Sequence, residues 1–200
     1  MTRPGLLTLL GGVVVAVLAL GAGVALRQVV DARTPAATAA VDLGAPFALV
    51  DHSGAPITEA AFEGQPSLLF FGFTHCPEIC PTTVYDIETW LSEMGPEADA
   101  VRAFFVSVDP ERDTPELLSD YLTAQSDRIT GITGAPEAVW DMARSWRVYW
   151  QKRPLGGGDY TVDHYASVLV LDDSGRLVDV IAYGEAPDSA RAKIAAALDA

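Results

Sequence analysis

Ser67-Leu-Leu-Phe-Phe-Gly-Phe-Thr-His-Cys-Pro-Glu-Ile-Cys-Pro81 is the stretch whose reading decides the fold. From Ser67 to Phe73 it is an unbroken apolar and aromatic run, with neither the two-residue alternation of a half-exposed strand nor the polar face of a surface helix. Such a run fits a central strand covered on both faces. It leads directly into the chain's two cysteines, Cys76 and Cys80. Beyond them, Thr82 to Met94 sets Tyr85, Trp90 and Leu91 among acidic residues and stops at Gly95-Pro96, which predicts a helix with its terminator. Pro77 and Pro81 bias the residues before them away from helical backbone, and Pro81 suits a first helical position. Cys80 is therefore expected at the N-cap, where the positive helix end favours a thiolate.

Outward from this centre, strands and helices alternate. Phe47 to Asp51 and Pro56 to Thr58 flank His52-Ser53-Gly54 as a short hairpin. Val101 to Val108 reads as a second buried strand, and Thr114-Pro115-Glu116 opens a helix by placing proline behind a hydroxyl cap. Ile129 to Ile132 is a short strand. Pro136 to Trp146 is helical, with Val139, Met142, Ala143 and Trp146 along one face. A loop carrying Gln151-Lys152-Arg153 and Gly156-Gly157-Gly158 follows, and its composition predicts mobility. Ala166 to Leu171 and Arg176 to Ala182 form a late hairpin around Asp172-Asp173-Ser174-Gly175, and Ser189 to Leu198 closes as a helix. Early alternation with a late antiparallel pair gives an α/β class.

Gly5 to Leu26 has no charged side chain and is long enough to cross a hydrocarbon layer of about 30 Å as one helix. The expected organisation is a transmembrane anchor over residues 1–27, a linker rich in alanine and threonine over 28–40, and a folded domain over 41–200. A cleaved signal peptide is the alternative, but its apolar region usually runs to only about 7 to 15 residues. No Arg-rich transit peptide precedes the run, so the expected place is a bacterial cytoplasmic membrane with the domain facing the periplasm or cell exterior. The formal net charge is −14, which argues against nucleic acid as a partner because phosphate binding is dominated by Lys and Arg.

Two cysteines separated by three residues allow a disulfide or, with a third ligand, a metal site. The third ligand has to come from three histidines: His75, His52 and His164. His164 lies in Val162-Asp163-His164-Tyr165, ahead of the late hairpin.

Three motifs now stand in order: Phe71-Gly-Phe-Thr-His-Cys-Pro-Glu-Ile-Cys-Pro-Thr-Thr83, Val106-Ser-Val-Asp-Pro-Glu-Arg-Asp-Thr-Pro115, and Asp163-His164 before a strand ending Leu171-Asp172. Together they closely resemble the Sco/SenC family, over about residues 43 to 200. The resemblance implies a thioredoxin-like fold, a membrane tether, and one copper ion, Cu(I) or Cu(II), held by Cys76, Cys80 and His164. It also implies a role in building the dinuclear copper centre of cytochrome c oxidase, by delivering copper to the copper-centre subunit, by reducing its cysteines, or both. Asp109 comes out as an auxiliary residue near the site. Tyr165-Ala166 depart from the small hydroxyl residue the family often has after its histidine.

Soft thiolates with one imidazole suit copper in either oxidation state, while structural zinc normally closes with four protein ligands. The competing class is a membrane-anchored thiol-disulfide oxidoreductase using Cys76 and Cys80 as its redox pair, although such enzymes usually space their cysteines as Cys-x-x-Cys. A passive domain with a structural disulfide is the third reading.

Overall fold

Strand β3, Ser67–Gly72, is buried at every residue because it is hydrogen-bonded on both sides and covered on both faces. A computed structural model describes residues 43–200; the anchor and linker expectations, and residues 41 and 42 of the domain expectation, lie outside the described residues. Around β3 a seven-stranded sheet runs in the order β2-β1-β5-β4-β3-β8-β9. Its other members are β1 (Ala48–Asp51), β2 (Pro56–Thr58), β4 (Arg102–Ser107), β5 (Ile129–Thr133), β8 (Val168–Leu171) and β9 (Leu177–Ile181). Strands β3, β4 and β5 are parallel neighbours, while β8 returns antiparallel against β3 with Phe70 opposite Val168. Parallel pairing needs crossovers, and the helices supply them. The crossovers are α1 (Ile79–Met94), between β3 and β4, and α2 (Pro115–Thr123), between β4 and β5; α3 (Pro136–Ser145) and α4 (Pro187–Leu198) complete the helices.

Local chemistry explains the helix ends. The Thr114 side chain accepts from the Leu117 amide at 3.3 Å and Pro115 takes the first position of α2, so the hydroxyl-proline start is realised. Helix α1 stops where Gly95 adopts φ +65°, a left-handed conformation that only glycine takes at little cost. In α3 the buried face is Val139, Met142 and Ala143, followed by buried Trp146. His52 sits in the β1–β2 turn, and its Nδ1 accepts the Gly131 amide at 2.8 Å, so that histidine secures β1 to β5.

Two expectations need correction. Residues 150–164 are not an unstructured loop: β6 (Trp150–Gly156) and β7 (Asp159–His164) pair as a separate two-stranded sheet, with Trp150 opposite His164. The glycines form the tip of that hairpin, with positive φ at Gly156, Gly157 and Gly158. Helix α1 also begins earlier than Pro81. Glu78 is its N-cap, its carbonyl accepting the Thr82 amide at 3.1 Å, so Cys80 lies inside the first turn. Proline is tolerated there because first-turn amides have no helical partner to lose.

Gly72 ends β3 where no side chain fits. A Cβ at this position would stand 2.9 Å from the rings of both Phe70 and Phe105. Gly72→Ala is therefore expected to cost about 1–3 kcal/mol through overpacking, read from urea unfolding of the reduced protein.

Candidate metal centre

The end of β3 delivers the cysteines. After Phe73 the chain turns, with the Cys76 amide bonded to the Phe73 carbonyl at 3.2 Å, and enters α1. The turn is held from beneath by Asp113, whose carboxylate accepts the Thr74 amide at 3.2 Å, the Thr74 hydroxyl at 2.6 Å and the Ser107 hydroxyl at 2.7 Å. Burial nevertheless pushes the Asp113 carboxyl above its ordinary range.

His164 arrives from the other side on β7. Its Nε2 stands 3.4 Å from the Cys80 sulfur, and the Cys80 amide donates to the Cys76 sulfur at 3.3 Å. One donor atom from each of Cys76, Cys80 and His164 lies within 4.8 Å of the others. The Nδ1 of His164 is 2.9 Å from the Tyr165 carbonyl, which can only accept. Nδ1 therefore carries a proton, and Nε2 is the ring nitrogen that faces the sulfurs. The ring stands edge-on to Phe73 and Phe70, at centroid distances of 5.7 and 6.0 Å. A cavity of about 420 Å³ opens beside the group, lined in part by Phe73, Pro77, Ile79 and Val162.

The two thiols are not equivalent. Cys80 is fully buried, and burial, followed by its hydrogen bond to Cys76, pushes its thiol up. Cys76 is partly exposed, and the hydrogen bond from Cys80 pulls its thiol well down, with a smaller contribution from His164. The thiolate expected at Cys80 from the helix end thus belongs to Cys76 instead: desolvation of Cys80 outweighs the helix end.

The other candidates fall elsewhere. His75 is exposed, with its Nδ1 3.1 Å from the Thr74 hydroxyl, and stays outside the donor group. Asp109 also stays outside it; its buried carboxylate accepts the Tyr160 hydroxyl at 2.7 Å and pairs with Arg112. Tyr160, Arg112 and Asp113 are the supporting residues that sequence reasoning missed. The one available signal was the two-residue spacing of Tyr160, Val162 and His164, which marks one face of a strand.

The SCO1/SenC family model matches residues 35–199. This chain belongs to that family. Among solved SCO1/SenC relatives, Bradyrhizobium japonicum ScoI with copper bound is 41% identical, with a TM-score of 0.73, covering 78% of this chain and 99% of its own. Yeast Sco1 with copper bound is 32% identical with a TM-score of 0.72, covering 78% and 87%. The mitochondrial SCO1 homolog of Homo sapiens is 34% identical over 160 residues, 76% of this chain and 52% of that protein. The chain thus spans about half the length of the curated relatives it matches. The described residues form the mixed α/β, thioredoxin-like fold of these Sco structures.

The unequal thiols predict selective alkylation. In the reduced metal-free protein, iodoacetamide should modify Cys76 and spare Cys80. Because the Cys76 thiol is lowered, its thiolate persists as pH falls below the ordinary cysteine pKa of about 8.5. The rate should therefore stay nearly flat between about pH 6 and pH 8, where an ordinary thiol would slow about tenfold per unit. Mass-resolved labelling across that range checks it.

Proposed function

We propose that this chain binds one copper ion through Cys76, Cys80 and His164 and assists assembly of the dinuclear copper centre of cytochrome c oxidase. The observation that carries the reading is the convergence of two sulfurs and one imidazole nitrogen within 4.8 Å. The donor chemistry fits the ion: thiolate is soft and favours Cu(I), while imidazole serves both oxidation states. Among the described residues no fourth histidine, cysteine or carboxylate joins the group, whereas structural zinc normally takes four protein ligands. A three-donor set beside an open cavity also leaves room for an incoming ligand from a partner.

The chain's own residues divide the work. Cys76 presents a thiolate at the partly exposed edge, Cys80 holds its proton until a cation displaces it, and His164 closes the set from the hairpin. The Sco family is one of cytochrome c oxidase assembly proteins. The target we propose is the copper-centre subunit of that oxidase, met outside a bacterial cytoplasmic membrane to which residues 5–26 tether the domain. Copper delivery and reduction of the target's cysteines both draw on the same sulfurs. The second reading, a thiol-disulfide oxidoreductase, is favoured by the pairing of a lowered Cys76 with a protonated Cys80 beside it.

Metal analysis of the intact chain should give about one copper per chain, and His164→Ala should weaken Cu binding at least about tenfold, the scale of losing even a supporting contact to a metal site. Unchanged affinity in His164→Ala would remove His164 from the site. Cys76→Ser and Cys80→Ser should each abolish both high-affinity copper uptake and loading of the oxidase centre. Insulin reduction at wild-type rate by His164→Ala, with normal oxidase loading in cells, would favour the oxidoreductase reading over the copper one.

A further inference from the structure

Among the described residues, the hairpin that carries His164 shares no hydrogen-bond ladder with the main sheet, and β6 and β7 pair only with each other. Its attachment to the body therefore rests on side chains. Along β7, residues Tyr160, Val162 and His164 share one face, the alternation of an extended strand. Val162 enters the hydrophobic core at 4% exposure, and His164 reaches the sulfurs.

Tyr160 meets a polar grip built by the loop after β4. Its hydroxyl donates to Asp109 at 2.7 Å, and the Arg112 guanidinium lies 3.8 Å over its ring. Arg112 is ion-paired with Asp109 and also donates to the Tyr160 carbonyl at 3.0 Å. From the same loop Glu111 pairs with Lys152 of β6, whose ammonium stands 4.8 Å from the Tyr160 ring. Asp109 has no exposed side-chain surface, and among the described residues its carboxylate is met by Arg112 and the Tyr160 hydroxyl.

We propose that Asp109 is a positioning residue for His164: through Tyr160 and Arg112 it holds β7 against the body and so sets how tightly the imidazole is kept beside the two sulfurs. Asp113, four residues on, grips Thr74 and thereby the cysteine turn. One short loop thus holds both ligand-bearing segments, and only its Asp109 end acts on the histidine. The inference rests on the copper reading for its consequence but not for its geometry.

Tyr160→Phe removes the hydroxyl and keeps the ring. In the intact chain it should raise the Cu(I) dissociation constant about tenfold, the size of one hydrogen bond to a charged group, read by competition with a chromophoric chelator. In a His164→Ala background the same substitution should change it by less than about twofold, because the grip then has no ligand to position. Arg112→Lys, which keeps the charge and loses the stacking, should follow the same pattern. An equal increase in both backgrounds, or none in the unsubstituted one, overturns the proposal.

A metal-free arm separates this from failure of the copper reading. The His164 ring protons of the reduced apoprotein should carry ring-current shifts from Phe73 and Phe70, and Tyr160→Phe should move them toward free-histidine positions in proton NMR. Resonances that stay in place overturn the proposal whatever the copper affinity. Absence of copper binding by the unsubstituted chain would refute the copper reading alone and leave the NMR arm to decide.

Discussion

A contact of 3.4 Å between the Cys80 sulfur and the His164 imidazole joins residues 84 apart in sequence, and the rest of the site depends on it. Closing a loop of that length and ordering a hairpin both cost entropy. The offset is distributed. Core burial of Val162 and the polar grip on Tyr160 act on the histidine's strand, while β3 and Asp113 act on the sulfurs. Neither half of the donor set has to move for the other to be held, because each is tied to the same loop, Asp109 to Asp113. That loop is short enough to be rigid, with the Asp113 amide bonded back to the Asp109 carbonyl at 2.9 Å.

Magnitudes decide how the two thiols differ. The positive end of a helix favours an anion by about 0.3–1 kcal/mol at the surface and up to about 2 in sheltered geometry. Full burial can shift an ionisable group by about 3–5 pKa units, at about 1.4 kcal/mol each. For Cys80, wholly enclosed in the first turn of α1, burial therefore wins and the sulfur keeps its proton. That proton then serves Cys76, which sits nearer solvent and receives a hydrogen bond. The result is one nucleophilic and one reserved sulfur from a sequence in which they look alike.

Much of this is legible in the chain itself, for identifiable reasons. The run from Ser67 to Phe73 points to a buried central strand because it is continuously apolar, rich in aromatics and too short for a core or membrane helix. The start of α2 is legible because Thr114 and Pro115 each do a specific job there. The hairpin β6–β7 is not, since Gln151, Lys152, Arg153 and Pro154 spell loop composition and its stability comes from residues far away in sequence: Asp109, Glu111 and Arg112. The start of α1 misleads for a related reason. Two prolines suggest a boundary at Pro81, but the backbone before it is already helical from Ile79. Of the site, the types of the donors are visible in sequence, while the roles of Tyr160 and Asp113 depend on tertiary contacts that no local pattern encodes.

The same two sulfurs serve every chemistry the site offers, which constrains how the proposed roles relate. A disulfide between Cys76 and Cys80 would occupy both thiolates, because a metal ligand and a disulfide partner need the same deprotonated sulfur. Copper held by this set and oxidation of the pair therefore exclude one another at any moment. His164 belongs to the first state only: with Nε2 turned toward the sulfurs, it can give a cation a third donor and gives a disulfide nothing. A grip on β7 that acts through His164 would thus bear on the metal-bound state and not on the disulfide. The proposed grip would act on the ligand through a tyrosine, an arginine and a carboxylate that lie outside the donor set.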